Sequence, residues 1–82
     1  MINTYEVRKL GRDYCNTEGS EHYKNGEVEP LDLIFSFGYG EGFCAGSIIK
    51  YACRFKKTHN PDDMKKVADY AHILCGVELK NG

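Results

Sequence analysis

Lys56-Lys57-Thr58-His59-Asn60-Pro61-Asp62-Asp63-Met64 is the stretch on which the fold turns. Asn60 can cap a helix with its side-chain oxygen, and Pro61 suits the first helical position, where a missing N–H costs nothing. Asp62 and Asp63 then set negative charge against the positive end of the helix dipole. The helix predicted from this start runs from Pro61 to Cys75, with Met64, Val67, Ala68, Ala71, Leu74 and Cys75 as its apolar stripe and Gly76 as its stop. On the other side of the turn, Lys56 and Lys57 place cations at a helix C-terminus. Cys44, Ile48, Tyr51 and Phe55 recur there at spacings of four, three and four, which predicts an amphipathic helix from Gly42 or Phe43 to Lys57. So short a connection makes the two helices an antiparallel hairpin.

Working outward, Glu29-Pro30 opens a shorter helix with Leu31, Ile34 and Phe35 at helical spacing, ended by Gly38. Gly38, Gly40 and Gly42 make a flexible turn. Residues Ile2 to Leu10 alternate loosely, as a short edge strand or an extended arm would, and Gly11 to Gly26 has the composition of a loop. The fold class expected is therefore mainly α: a small helical domain over residues 22–82 built on the hairpin, preceded by an N-terminal arm or edge segment over residues 1–21. Such a hairpin is thin for a monomer, so self-association is expected through the apolar edge formed by Tyr70, Ile73 and Val77.

Of the 82 residues, 41% are hydrophobic and 28% charged, an ordinary globular balance. No apolar run approaches the roughly 20 residues of a membrane span, and the first residues lack the pattern of a secretory signal, which points to the cytosol. A net charge of −1 provides no global field for nucleic acid or anionic lipid, so neither is an expected partner. The charge is nevertheless divided, with a net of −4 up to Glu41 and +3 from Gly42 onward. Cys15, Cys44, Cys53 and Cys75 form no close pair of the zinc or redox type and are expected to be reduced and mostly buried. Cys15 with His22 or His59 fits no metal-ligand spacing, and no metal site is predicted.

Chemistry concentrates on the first hairpin helix. Ser47, Lys50, Arg54 and Lys57, spaced three, four and three, put a hydroxyl and three cations on one face. Two readings fit: a solvated charged face, or a grip for phosphates assisted by the N–H groups of the preceding glycine turn. Neither G-x-x-x-x-G-K-[ST] nor G-x-G-x-x-G occurs. His22-Tyr23-Lys24 adds an imidazole, a phenol and an ammonium that can bind phosphate or stack on a base. Asp62, Asp63 and Asp69 have the chemistry to hold magnesium, although two of them already serve the helix start.

These segments resemble, in order, the motifs of a family of small phage proteins that includes a coliphage nucleotide kinase. The matching residues are His22-Tyr23-Lys24, then Glu29-Pro30-Leu31-Asp32, then Phe43 through Arg54 as F-x-x-G-S-x-x-K-Y-x-x-R, and Asp63-Met64-Lys65-Lys66-Val67 with Tyr70. Ser47 stands where the family usually has Asn, and Met64 and Val67 where it has Leu and Ala. The resemblance implies a virus-encoded, cytosolic, oligomeric protein that handles nucleotides without a P-loop. It adds Gly46 and Tyr51 to the residues expected to bind ligand, namely His22, Tyr23, Lys24, Ser47, Lys50, Arg54 and Lys57. As a nucleoside monophosphate kinase the protein would use ATP and Mg2+, with Lys50 and Arg54 neutralising the transferring phosphoryl group and His22 orienting the acceptor. The alternatives are capture of a nucleotide-type signal without turnover, or inhibition of a host defence protein through the acidic N-terminal segment.

Overall fold

A computed structural model describes residues 2–17 and 27–82, and its secondary structure is helical throughout: α1 (Thr4–Tyr14), α2 (Pro30–Ser36), α3 (Gly40–Thr58) and α4 (Pro61–Asn81). The mainly α class holds, and α3 and α4 form the expected hairpin. Asn60 caps α4 by accepting the Asp62 N–H at 3.0 Å, and Pro61 follows it. The turn closes at His59, which takes a left-handed conformation with φ 51°.

The first segment differs from the expectation of a strand or extended arm. Residues 4–14 form α1, whose Asn3 cap accepts the Glu6 N–H at 3.2 Å. The helix ends on Asn16 at φ 58°, with Thr17 N–H donating to the Arg12 carbonyl at 2.9 Å. Asparagine tolerates this left-handed stop better than most residues.

α1 lies antiparallel against α4 and covers the edge assigned to self-association. Ile73 and Val7 are fully buried together, and Tyr70 and Val77 pack against the same core, with Leu31 and Cys44 completing its centre. That edge is therefore satisfied inside the chain. Conversely, Ala68 and Ala71 of the expected α4 stripe are exposed, while Val67 and Leu74 are half-buried. Cys44 is buried, Cys75 half-buried, and Cys15 and Cys53 exposed, so the thiols are less sheltered than composition suggested.

Gly76 does not stop α4, which continues to Asn81. The residue lies where the α1 backbone crosses closest: a β-carbon there would overlap the carbonyl of Val7, and one on Gly11 would overlap the carbonyl of His72. Glycine serves here as the space between two helices.

A buried polar network ties α1 to the rest. Arg8 grips Glu29 with both terminal nitrogens, at 3.2 and 3.4 Å, and donates from Nε to Asp69 at 2.7 Å. Burial alone would lower the Arg8 pKa, but the two carboxylates outweigh it and raise it. Asp32 accepts the Thr4 N–H at 2.7 Å and hydroxyl at 2.5 Å, and its other oxygen accepts the Glu29 N–H at 3.0 Å. Glu29-Pro30-Leu31-Asp32, one of the motifs noted in the sequence, thus both starts α2 and fastens it to α1. α2 ends on Gly38 at φ 86°, with Gly38 N–H donating to Phe35 and Tyr39 N–H to Ile34.

Candidate functional site

Cys44 of α3 enters the core and Tyr51 stacks on Tyr70 of α4, with Ile48 and Phe55 half-buried on the same face, and the adjoining flank of α3 carries Phe43, Gly46, Ser47, Lys50, Arg54 and Lys57 in one row. An open cleft of about 390 Å3 lies on the first half of this row, lined by Gly42, Phe43, Gly46, Ser47, Lys50 and Tyr51, with Tyr70 contributed by α4. The structure therefore brings Gly46, Ser47, Lys50 and Tyr51 together. Arg54 follows one turn beyond Lys50, and Lys57 nearly one turn further still. His22, Tyr23 and Lys24 lie outside the described residues.

Aromatic rings form the apolar floor of the cleft. Phe43 meets Tyr70 edge-on, with centroids 6.0 Å apart at 70°, and Tyr51 stacks on Tyr70 at 6.2 Å and 17°. Lys50 Nζ stands 5.3 Å from the Tyr51 ring centroid, a cation–π contact that keeps the ammonium at the rim. Burial raises the Tyr70 pKa and the neighbouring Tyr51 adds to the rise, while the Ser47 hydroxyl opposes it. Tyr70 is accordingly a neutral phenol at physiological pH. Beyond their own helix backbone, Gly46 and Gly42 have no atom of the described residues within 4 Å of where a β-carbon would stand. Glycine inside a helix costs about 1 kcal/mol relative to alanine, and no packing contact among the described residues accounts for either position.

Arg54 is tethered at one edge by a long ion pair. Its Nε faces Asp63 Oδ1 at 3.6 Å, and the other Asp63 oxygen accepts the Thr58 hydroxyl at 2.6 Å. The Arg54 side chain is 60% exposed while Asp63 is buried, so the carboxylate is the fixed post and the guanidinium the moving part. The outer edge of the guanidinium has no partner among the described residues. With both its oxygens engaged and Asp69 bonded to Arg8, Asp63 belongs to no acidic cluster; among the described residues no group of three candidate metal ligands occurs. His59 is the α3 cap and stacks edge-on with Phe55 at 5.4 Å.

Sequence spacing missed Phe43, Tyr70 and Gly42 as cleft residues and Asp63 as the holder of Arg54. Tyr70 and Asp63 join the site only through the register of α4 against α3, which spacing along one helix does not carry. The one available signal was the resemblance, whose motifs include Phe43, Asp63 and Tyr70.

The fold and cleft define a class: a small α protein presenting an aromatic floor beside a row of cations. A family model described as a protein of unknown function, DUF3310, matches residues 17–72, and the chain belongs to that family. No curated protein and no solved structure matches it. Among the described residues, no helix is long and apolar enough to cross a membrane.

Proposed function

We propose that the protein is a phage-encoded, cytosolic nucleotide-handling protein that binds a nucleoside phosphate across α3. The observation that carries this reading is the succession of surfaces along one helix flank: aromatic rings at Phe43, Tyr51 and Tyr70, then Lys50, then an Arg54 fork pre-set by Asp63. A planar base gains stacking on the rings. A phosphate gains charge-assisted bonds from Lys50 and the outer edge of Arg54, the bidentate geometry for which guanidinium is suited. Helical rise puts Arg54 about 10 Å from Ser47, the scale of one nucleoside monophosphate. The motif order shared with the phage family supports the same ligand class, and His22, Tyr23 and Lys24 join the proposed binding set on that resemblance.

Transfer of the ATP γ-phosphoryl group to the bound monophosphate, with Mg2+, is the catalytic form of this proposal, with Lys50, Arg54 and His22 as its catalytic residues. Capture without turnover uses the same binding residues. The purified protein is incubated with a pool of ribo- and deoxynucleoside monophosphates, ATP and Mg2+, and free and retained nucleotides are separated by ultrafiltration and resolved by HPLC. A retained monophosphate supports binding, and new diphosphates that vanish with Arg54→Ala support transfer. A pool neither retained nor altered overturns both and directs the search to a host protein partner.

A further inference from the structure

We infer that the solvent face of α3 is an interface on which a second copy of this chain packs with its own α3 antiparallel, about a two-fold axis at Ile49. Ile49 is 65% exposed at the middle of α3, where a partner helix would bury it. Around it, on the same face, Gly42, Ala45, Ala52 and Cys53 are also exposed. Their small side chains allow another helix axis to approach closely.

Charge selects the occupant and its direction. α3 carries Glu41 in its first turn and Lys56 and Lys57 in its last. Neither Glu41 nor Lys56 has an ion-pair partner among the described residues. Glu41 and Lys56 lie almost equally far from Ile49 and on the same side of the face. An antiparallel copy therefore brings Glu41 beside the partner's Lys56, twice over by symmetry, while the helix dipoles oppose head to tail. A parallel copy would set like charges together at both ends.

The pairing also completes the cleft. Lys57 shares a flank with Phe43 and Gly46 but stands about 10 Å along the helix from Lys50, beyond its own cleft. In the antiparallel arrangement the partner's Lys57 arrives beside Gly42 and Phe43, at the open wall. The pairing stands apart from the nucleotide reading; only this contribution to the cleft rests on it.

Sedimentation velocity on the full chain tests the proposal. The wild type is expected to sediment as a dimer or a multiple of one, and Ile49→Glu should weaken association at least tenfold. Glu41→Lys and Lys56→Glu should each weaken it, and the two together should restore it to within about threefold of wild type, a recovery that misfolding cannot imitate. Ile49→Cys under a mild disulfide oxidant should give a covalent dimer whose linked peptide contains position 49 from both copies. A monomeric wild type, an Ile49→Glu protein associating as tightly as wild type, or a charge swap without recovery overturns the pairing. An Ile49→Glu monomer that binds nucleoside monophosphate with full affinity overturns the shared cleft. A wild-type dimer that binds no nucleotide overturns the nucleotide reading and leaves the pairing supported.

Discussion

A β-carbon on Gly76 would stand inside the backbone carbonyl group of Val7. Because the obstacle is backbone, no side-chain rotation can relieve it, and the α1–α4 crossing must widen. Gly76→Ala is expected to lose about 1–2 kcal/mol net, after the helix-propensity gain is set against overpacking. In a domain of this size that lowers the melting temperature by about 4–10 °C, readable by circular dichroism.

Gly46→Ala should do the opposite to stability and harm binding. Its β-carbon meets no atom of the described residues within 4 Å beyond its own helix backbone, so the helix gains about 0.5–1 kcal/mol and melting rises by a few degrees. The same methyl intrudes on the cleft, so nucleotide affinity measured by calorimetry should fall. Equal affinity would mean that the ligand keeps clear of this part of α3.

Arg8→Met should be among the most damaging substitutions in the chain. It strips the cation from Glu29, whose side chain is 8% exposed, and from Asp69. Breaking a buried pair on one side costs about 3–5 kcal/mol, whereas Lys9→Met, on the exposed neighbour, should stay within about 0.5 kcal/mol. Urea unfolding of both variants makes the comparison.

Acid should weaken the fold in two steps. His72 is held below its ordinary 6.5 by burial, with Arg12 reinforcing and Asp69 opposing. Its contribution is whole above 6.5 and is lost as the pH falls below that value, because the unfolded chain takes the proton first. For Asp32, burial pushes upward, but the Thr4 hydroxyl and N–H and the Glu29 N–H outweigh it and hold the carboxyl below 3.8. Its share is present above 3.8 and lost as the pH falls through the lower folded value. His72→Asn should remove the upper step alone from a stability–pH profile.

Asp63→Asn tests whether Arg54 is usefully pre-set. Loss of a charged hydrogen bond to phosphate on Arg54→Ala should weaken binding by about tenfold to a hundredfold. Asp63→Asn removes only the anchoring charge, so its effect should be smaller, and Arg54→Lys should not recover the full affinity because it lacks the fork.

The start of α4 was legible because Asn60, Pro61, Asp62 and Asp63 all act within one turn. Its end was not, because glycine marks both a helix stop and a close approach, and only α1 decides which applies at Gly76. α1 itself escaped periodicity because its buried face is Thr4, Val7, Arg8, Gly11 and Arg12, which is largely polar. Its attraction to the core lies in partners far away in sequence, Asp32, Glu29 and Asp69. The row Ser47, Lys50, Arg54, Lys57 could be read from helical spacing alone. The floor under it, and the post behind Arg54, depend on how α3 and α4 interlock.

The bond from Arg8 to Asp69 spans 61 positions and that from Lys80 to Glu6 spans 74, whereas the α3–α4 turn needs only neighbours. Local contacts form first, since closing a long loop costs entropy before any contact repays it. During synthesis α1 therefore leaves the ribosome first and can be seated only after the last helix has followed it out. Until then Val7 lacks the Ile73 side of its core and Arg8 lacks its Asp69 partner, and the nascent chain is most exposed to proteases and chaperones in the interval before α4 emerges.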